Sequence, residues 1–266
     1  MIKFFRKIRQ KLLSENKLRK YLIYAAGEIV LVVIGILIAL SINNWNEDRS
    51  KKGQLKYIYQ TVLEDLNTDL NNLDVPIAFY QNLDTTITEI LTTTYSTSFL
   101  DTINESNYKA CIPCKSNINV FEPFTSQDKG FELLKDFKND GDLIGMEDKN
   151  LSQDIVQFYT DHIERLDVIL GIIQSEALSN IKYYDQFPWY TEYILGKFNR
   201  DAAAFFLYDQ TYRNKAANYL LLAVRNYLRD LVAYKKDLIE LKNRIEASSI
   251  ILDQWSFTLN PLVFSF

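Results

Sequence analysis

Tyr21-Leu-Ile-Tyr-Ala-Ala-Gly-Glu-Ile-Val-Leu-Val-Val-Ile-Gly-Ile-Leu-Ile-Ala-Leu-Ser-Ile42 carries one charged side chain in 22 positions. As a helix it reaches about 33 Å, against a bilayer hydrocarbon core of about 30 Å, so residues 21–42 are predicted to cross a membrane. The run exceeds a signal-peptide core. It is followed by Asn43-Asn44-Trp45-Asn46-Glu47 rather than a small-x-small cleavage site, so it is expected to remain as an anchor, with Trp45 at the interface.

The single charge, Glu28, is the costly residue of this span: an acid at membrane depth costs on the order of 2.5–3.5 kcal/mol unless protonated, hydrated or paired. Alternating steps of three and four give Ala25, Glu28, Val32, Gly35, Ala39 and Ile42, a stripe of mostly small residues that permits close approach of another helix. The other faces, Ile, Leu and Val, suit lipid. Glu28 is therefore expected at a helix–helix contact, with proton or ion movement as a second role. The plain alternative is a protonated acid helped by Tyr24 and a snorkelling Lys20.

Charge divides sharply at the span. Residues 1–20 carry +7, and with a net charge of −4 for the whole chain the remainder carries −11. The positive-inside rule then keeps the basic tail in the cytoplasm and exports the acidic bulk. Ile2, Phe4, Phe5, Ile8, Leu12 and Leu13 among the cations suit an amphipathic helix on an anionic leaflet, in preference to a nucleic-acid arm. The expected organisation is a cytoplasmic tail (1–20), a transmembrane helix (21–42), a periplasmic helical bundle (43–250) and an apolar tail (251–266). About 220 residues beyond the span suffice for one domain with its own core. Only 8 Gly and 5 Pro favour long helices over strands and turns.

Along the exported part, Leu55, Ile58, Tyr59, Val62, Leu66, Leu70 and Leu73 keep helical spacing, with Lys56, Gln60, Glu64, Asp65 and Asn67 opposite, so a helix continues outward with a joint near Gly53. Asp74-Val75-Pro76 stops it and starts another, buried through Tyr80, Leu83, Ile87, Ile90 and Leu91. Residues 95–124 form the longest irregular stretch and hold Cys111-Ile-Pro-Cys114 and Phe121-Glu-Pro-Phe124. Thr125-Ser-Gln-Asp128 reads as a capping box before Phe131, Leu134 and Phe137, and Asn139-Asp140-Gly141-Asp142 as the turn that ends that helix. A long helix from about Glu147 to Tyr184 follows, interrupted at Phe187-Pro188-Trp189-Tyr190, then a short one over Asp201–Tyr208. The most regular element, Tyr212 to Ala247, has a-type Ala217, Val224, Leu231, Leu238 and Ile245 and d-type Leu220, Tyr227, Tyr234 and Leu241. The fold class is all-α: a transmembrane helix followed by an extracytoplasmic up-and-down bundle of long helices. The apolar tail from Trp255 to Phe266 is expected to pack on the bundle, the membrane or a partner.

Met1-Ile-Lys-Phe-Phe-Arg-Lys-Ile-Arg-Gln10, Gly27-Glu-Ile-Val-Leu-Val-Val-Ile-Gly-Ile-Leu-Ile-Ala-Leu40 and Ile42-Asn-Asn-Trp-Asn-Glu47 together resemble a family of uncharacterised single-span proteins of Bacteroidota. Beyond about residue 50 the likeness rests on helical content and on Gly141-Asp-Leu-Ile144 to Phe158-Tyr159. The resemblance implies an inner-membrane anchor with Glu28 in the family motif. It supplies no catalytic residue or substrate, and nothing for Cys111 and Cys114.

Few residues suggest chemistry. Cys111 and Cys114 have the spacing of a redox pair or half a zinc site, yet no strand–helix context surrounds them and His162 is the sole histidine. A structural disulfide in an oxidising compartment is expected ahead of redox or metal roles. His162 reads as a core or groove residue. Neither a phosphate loop, a nucleophile elbow nor HExxH occurs, so an enzyme, a cofactor and a metal are not expected. The expected role is an accessory or structural subunit of an inner-membrane complex, or a homo-oligomer, docking through Ala25, Glu28, Val32, Gly35 and Ala39. A sensor or proton-coupled component using Glu28 is the alternative. A third possibility, ligand binding among Tyr183, Tyr184, Phe187, Trp189, Tyr190 and Tyr193, competes with their simple burial as core.

Overall fold

Helices account for the regular structure, and no strand occurs among the described residues. The computed structural model describes residues 18–140 and 146–258. Residues 1–17 of the basic tail, residues 141–145 with the Gly141-Asp142 part of the turn, and the last part of the apolar tail (259–266) lie outside them. The chain divides into two units between Leu55 and Lys56.

The first helix, α1 (Leu18–Asn72), runs through Gly53 without the expected joint. A lone glycine costs a helix only about 1 kcal/mol, too little to break it here. α2 (Asp74–Thr92) opens with Pro76 in its first turn, where a missing N–H costs nothing. α3 (Thr97–Thr102) is capped by Ser96, whose Oγ accepts from Phe99 N at 3.2 Å. Two single 3-10 turns, Tyr108–Ala110 and Ile112–Cys114, precede α4 (Lys129–Asp140) and the long α5 (Met146–Tyr184). α6 (Tyr190–Ile194) and α7 (Arg200–Tyr208) follow, the latter capped by Asn199, which accepts from Asp201 N and Ala202 N. α8 (Gln210–Tyr219), capped by Asp209, passes through a π-helical turn, Leu220–Arg225, into α9 (Asn226–Thr258).

α5 and α9 pack antiparallel in the second unit. Asp154 pairs with Arg244, His162 Nε2 lies 3.0 Å from Asp237, and Arg165 grips Asp230 through two bonds of 2.9 and 2.7 Å. α2 runs antiparallel to α8 and α9 on another side: Lys235 reaches Asp74, Arg225 reaches Asp84, and Arg213 caps the carbonyls of Ile90 and Leu91.

Two expectations fail for packing reasons. Ala217 is exposed and Ala216 buried, because the π turn inserts one residue. Downstream the buried set is Val224, Tyr227, Leu231, Tyr234, Leu238, Leu241 and Ile245, as the heptad requires, and the d-type Leu220 is buried too; further upstream the buried face shifts by one, to Tyr212, Ala216 and Tyr219. On α1, Asp65 is buried where the spacing predicts a solvent face, and Leu70, on the predicted buried stripe, is only half-buried. This end of α1 is enclosed on two sides, so Thr61, Asp65 and Asp69 form a second, polar buried row at intervals of four.

Candidate functional site

The apolar helix of the first unit comes first. An 18-residue window of α1 has a mean hydropathy of 2.6, and none of it is buried, so this helix is long and apolar enough to cross a membrane. Ala25 is half-exposed, while Glu28, Val32, Gly35 and Ala39 are exposed. Glu28, Ala25 and Val32 line a shallow groove with Ile29 and Val33. A methyl group placed on Gly35 would meet no atom within 4 Å, so this face is open to a neighbouring helix backbone. One turn further, Asn43 Nδ2 donates to Glu47 at 2.7 Å, and the Arg49 guanidinium sits 5.7 Å over the Trp45 ring.

The second unit holds a feature that periodicity does not reveal. Residues 115–127, the tail of the irregular stretch, have no regular structure and lie as a strap along α8 and α9. Of the strap only Ile118 and Phe124 are buried, but its backbone groups that face the helices need partners. Tyrosines provide them. Tyr212 OH accepts from Asn117 N at 3.2 Å, Tyr219 OH donates to Val120 O at 2.6 Å, and Tyr227 OH accepts from Phe124 N at 3.3 Å. Tyr234 OH meets Ser126 Oγ at 2.8 Å. From the flanking helices, Tyr80 OH accepts from Glu122 N, Tyr184 OH meets Ser116 Oγ, and Asn180 donates to Ile118 O.

The register follows from two rises. From Tyr212 to Tyr234, 22 helical steps cover about 33 Å; from Asn117 to Ser126, 9 extended steps cover about 30 Å. A heptad therefore advances about as far as three extended residues, which is why four tyrosines at steps of seven, eight and seven can each hold the strap. The step of eight falls on the π turn. Burial pushes the hydroxyls of Tyr212 and Tyr227 up to about 12, and those of Tyr80, Tyr219 and Tyr234 higher still, so all five remain neutral hydrogen-bonding groups at ordinary pH.

Both ends of the strap are fastened. At the start, Cys111 and Cys114 are joined by a disulfide, and both sulfurs sit in a small core with Leu100, Ile103, Tyr108, Ala203 and Leu207. At the far end, the fully buried carboxylate of Asp69 receives Ser126 Oγ and Tyr234 OH, each at 2.6 Å, and Gln127 N at 2.9 Å. Asp65, one turn earlier, receives Gly130 N at 2.6 Å. Ser126 is thus engaged by Asp69, and α4 begins at Lys129, later than a capping box at Thr125–Asp128 requires. Burial raises both carboxyls above the usual range, against the opposing effect of their donors.

His162 lies half-buried between Phe158, Tyr234 and Asp237, a packed position on the α5–α9 seam. In the aromatic group near Trp189, Tyr184 and Trp189 are buried and Tyr183, Phe187, Tyr190 and Tyr193 are half-buried; Phe187 stacks on Trp189 at 5.0 Å, and the fully buried Phe206 packs on Tyr184. Among the described residues no group of three or more His, Cys, Asp or Glu side chains is placed to hold a metal ion.

The tyrosine ladder had a signal in sequence, since Tyr212, Tyr219, Tyr227 and Tyr234 fall on one helix face where aliphatics are usual. The Asp69 clamp had a weaker one, the four-residue interval Thr61, Asp65, Asp69. Its partners are 57 and 165 residues away, beyond any local pattern.

Comparison with known proteins adds one likeness. No curated protein and no solved structure matches the chain. Residues 28–132 match DUF6090, a family of unknown function, over a span that begins at Glu28 and takes in Asp65, Asp69, the disulfide and the whole strap.

Proposed function

We propose that this chain is a membrane-anchored accessory or structural subunit of a larger inner-membrane assembly, docking through the Ala25/Glu28/Val32/Gly35/Ala39 face of its transmembrane helix. Its second unit is an up-and-down bundle on the periplasmic side, and its N-terminal tail is cytoplasmic. The observation that carries this reading is the exposed apolar run of α1 with a single acid on its small-residue face. Lipid suits the aliphatic faces, and an acid at membrane depth marks the face on which function is expected. The +7 tail supports the orientation, and the disulfide agrees with an oxidising compartment. The resemblance of residues 1–50 to single-span Bacteroidota proteins supports the inner-membrane placement.

Extraction of the native protein in a mild detergent, with native mass measurement and identification of companions at fixed stoichiometry, tests this directly. A defined set of membrane proteins is expected. Glu28→Gln, which keeps shape and hydrogen bonding, should retain them, while Gly35→Leu, which fills the close-approach face, should cut their recovery by about tenfold, or about 1.4 kcal/mol. A monomer without companions sinks the proposal.

A further inference from the structure

The clamp at the end of the strap can be examined proton by proton. Asp69 Oδ2, Ser126 Oγ and Tyr234 OH form a triangle with sides of 2.6, 2.6 and 2.8 Å. Each side is a hydrogen-bond distance and each needs one proton. Ser126 and Tyr234 supply two. With Asp69 ionised, one side of the triangle sets two lone pairs against each other; a third proton on Oδ2 lets the hydroxyls and the acid donate in turn around the ring. The other carboxylate oxygen, Oδ1, is occupied by Gln127 N–H.

The surroundings point the same way. Asp69 is fully buried, and an ionised carboxylate there forfeits hydration. On its own helix it faces Asp65, and from the start of α4 come Asp128 and Lys129, the cation acting on Asp65. From α5 comes Tyr159, whose buried hydroxyl has no hydrogen-bond partner, and His162, packed on the Tyr234 ring and paired with Asp237. From α9 comes Tyr234 itself. Acidic neighbours at close range disfavour a second negative charge.

We infer that Asp69 keeps a proton in the folded chain and closes a three-membered hydrogen-bond ring with Ser126 and Tyr234, making the fastening of residues 124–130 tighter in acid than in base. The sign follows from linkage. A carboxyl raised above its unfolded value of about 4 contributes stability that is complete below that value and is lost as pH rises through the folded one. Asp65, raised in the same direction, adds to the slope, so a variant is needed to assign it. This inference does not depend on the anchor proposal.

The test is amide hydrogen exchange of the full chain in detergent micelles, read by mass spectrometry on peptides covering 123–130 and corrected for intrinsic rates. The peptide over α7 serves as an internal reference. Between about pH 5 and about pH 8, wild-type protection of 123–130 relative to α7 is expected to fall about tenfold. In Asp69→Asn, a neutral isostere, it should stay within about twofold of the acid value. A flat wild-type profile, a rise with pH, or an equal fall in Asp69→Asn would each overturn the inference. Should Asp69→Asn fail to fold, the carboxyl carbon of Asp69 in wild-type protein, assigned by its displacement in Tyr234→Phe, gives the answer. A midpoint above about 5 supports the ring, and one at or below about 5 refutes it.

Discussion

Gly130 offers the sharpest test of the packing around the clamp. A Cβ at this position would lie 2.5 Å from Val62 N, 2.6 Å from Val62 Cγ2 and 2.7 Å from Val62 Cα. Two of those atoms are backbone, so no rotamer change relieves Gly130→Ala; α4 and α1 must part by about 1 Å to restore contact distances of about 3.5–4.0 Å. Such a shift takes the Gly130 N to Asp65 Oδ2 bond from 2.6 Å beyond hydrogen-bonding range. Overpacking costs about 1–3 kcal/mol, and a lost bond that leaves a buried carboxyl unsatisfied costs a further 1–3 kcal/mol or so. The expected loss is about 2–5 kcal/mol, a large share of a stability of about 5–15 kcal/mol. For a domain of this size that lowers the melting midpoint by roughly 6–15 °C. Near-UV circular dichroism of the full chain in detergent, melted alongside Gly171→Ala, measures it. Gly171 is an exposed mid-helix position with no atom within 4 Å of its added methyl, so its substitution should stabilise by about 0.5–1 kcal/mol. If Gly130→Ala melts within about 0.5 kcal/mol of wild type, or moves with Gly171→Ala, the close approach of α4 to α1 is wrong.

Two further perturbations probe other parts of the second unit. Replacing Cys111 and Cys114 together by Ser opens a loop with a separation of 3 and should cost about 2 kcal/mol on the chain-entropy account, with faster amide exchange over 100–114; equal urea midpoints for reduced and oxidised protein would count against a stabilising bridge. Arg165→Ala removes a two-bond grip on Asp230, which is 4% exposed, and leaves it to Arg229 at 3.1 Å. Because the arginine itself is largely exposed, the expected cost is only about 1–2 kcal/mol, with Arg165→Lys in between, and a change under about 0.3 kcal/mol in urea melts would show the pair to be idle.

The helices were legible because their signals are local. Spacings of three and four gave α2, Pro76 marked its start, and Phe187-Pro188 marked the end of α5. What escaped was set by distance or by a one-residue change of phase. The heptad from Val224 onward extrapolates back to Ala217, and only the alternative set of Tyr212, Ala216 and Tyr219 betrays the inserted residue of the π turn. Asp65 looked like solvent-facing charge because composition cannot tell that the 124–130 segment folds over it. The candidate interaction face on α1 is a proposal from local sequence alone, since a lone acid in an apolar helix needs no tertiary information to stand out.

The strap also constrains the order in which the chain can fold. Residues 117–126 are synthesised about 95–108 residues before the tyrosines of α8 and α9 that receive them. At roughly 5–20 residues per second, the nascent segment waits on the order of 5–20 s for its groove. During that wait water must serve the amides and carbonyls that the hydroxyls of α8 and α9 later take over, while Asp69 and Tyr80, synthesised before the strap, are the partners already at hand. Seating the strap is therefore a late, non-local event in folding, and Ile118, Val120, Phe121 and Phe124 must wait without their groove until the last long helix exists.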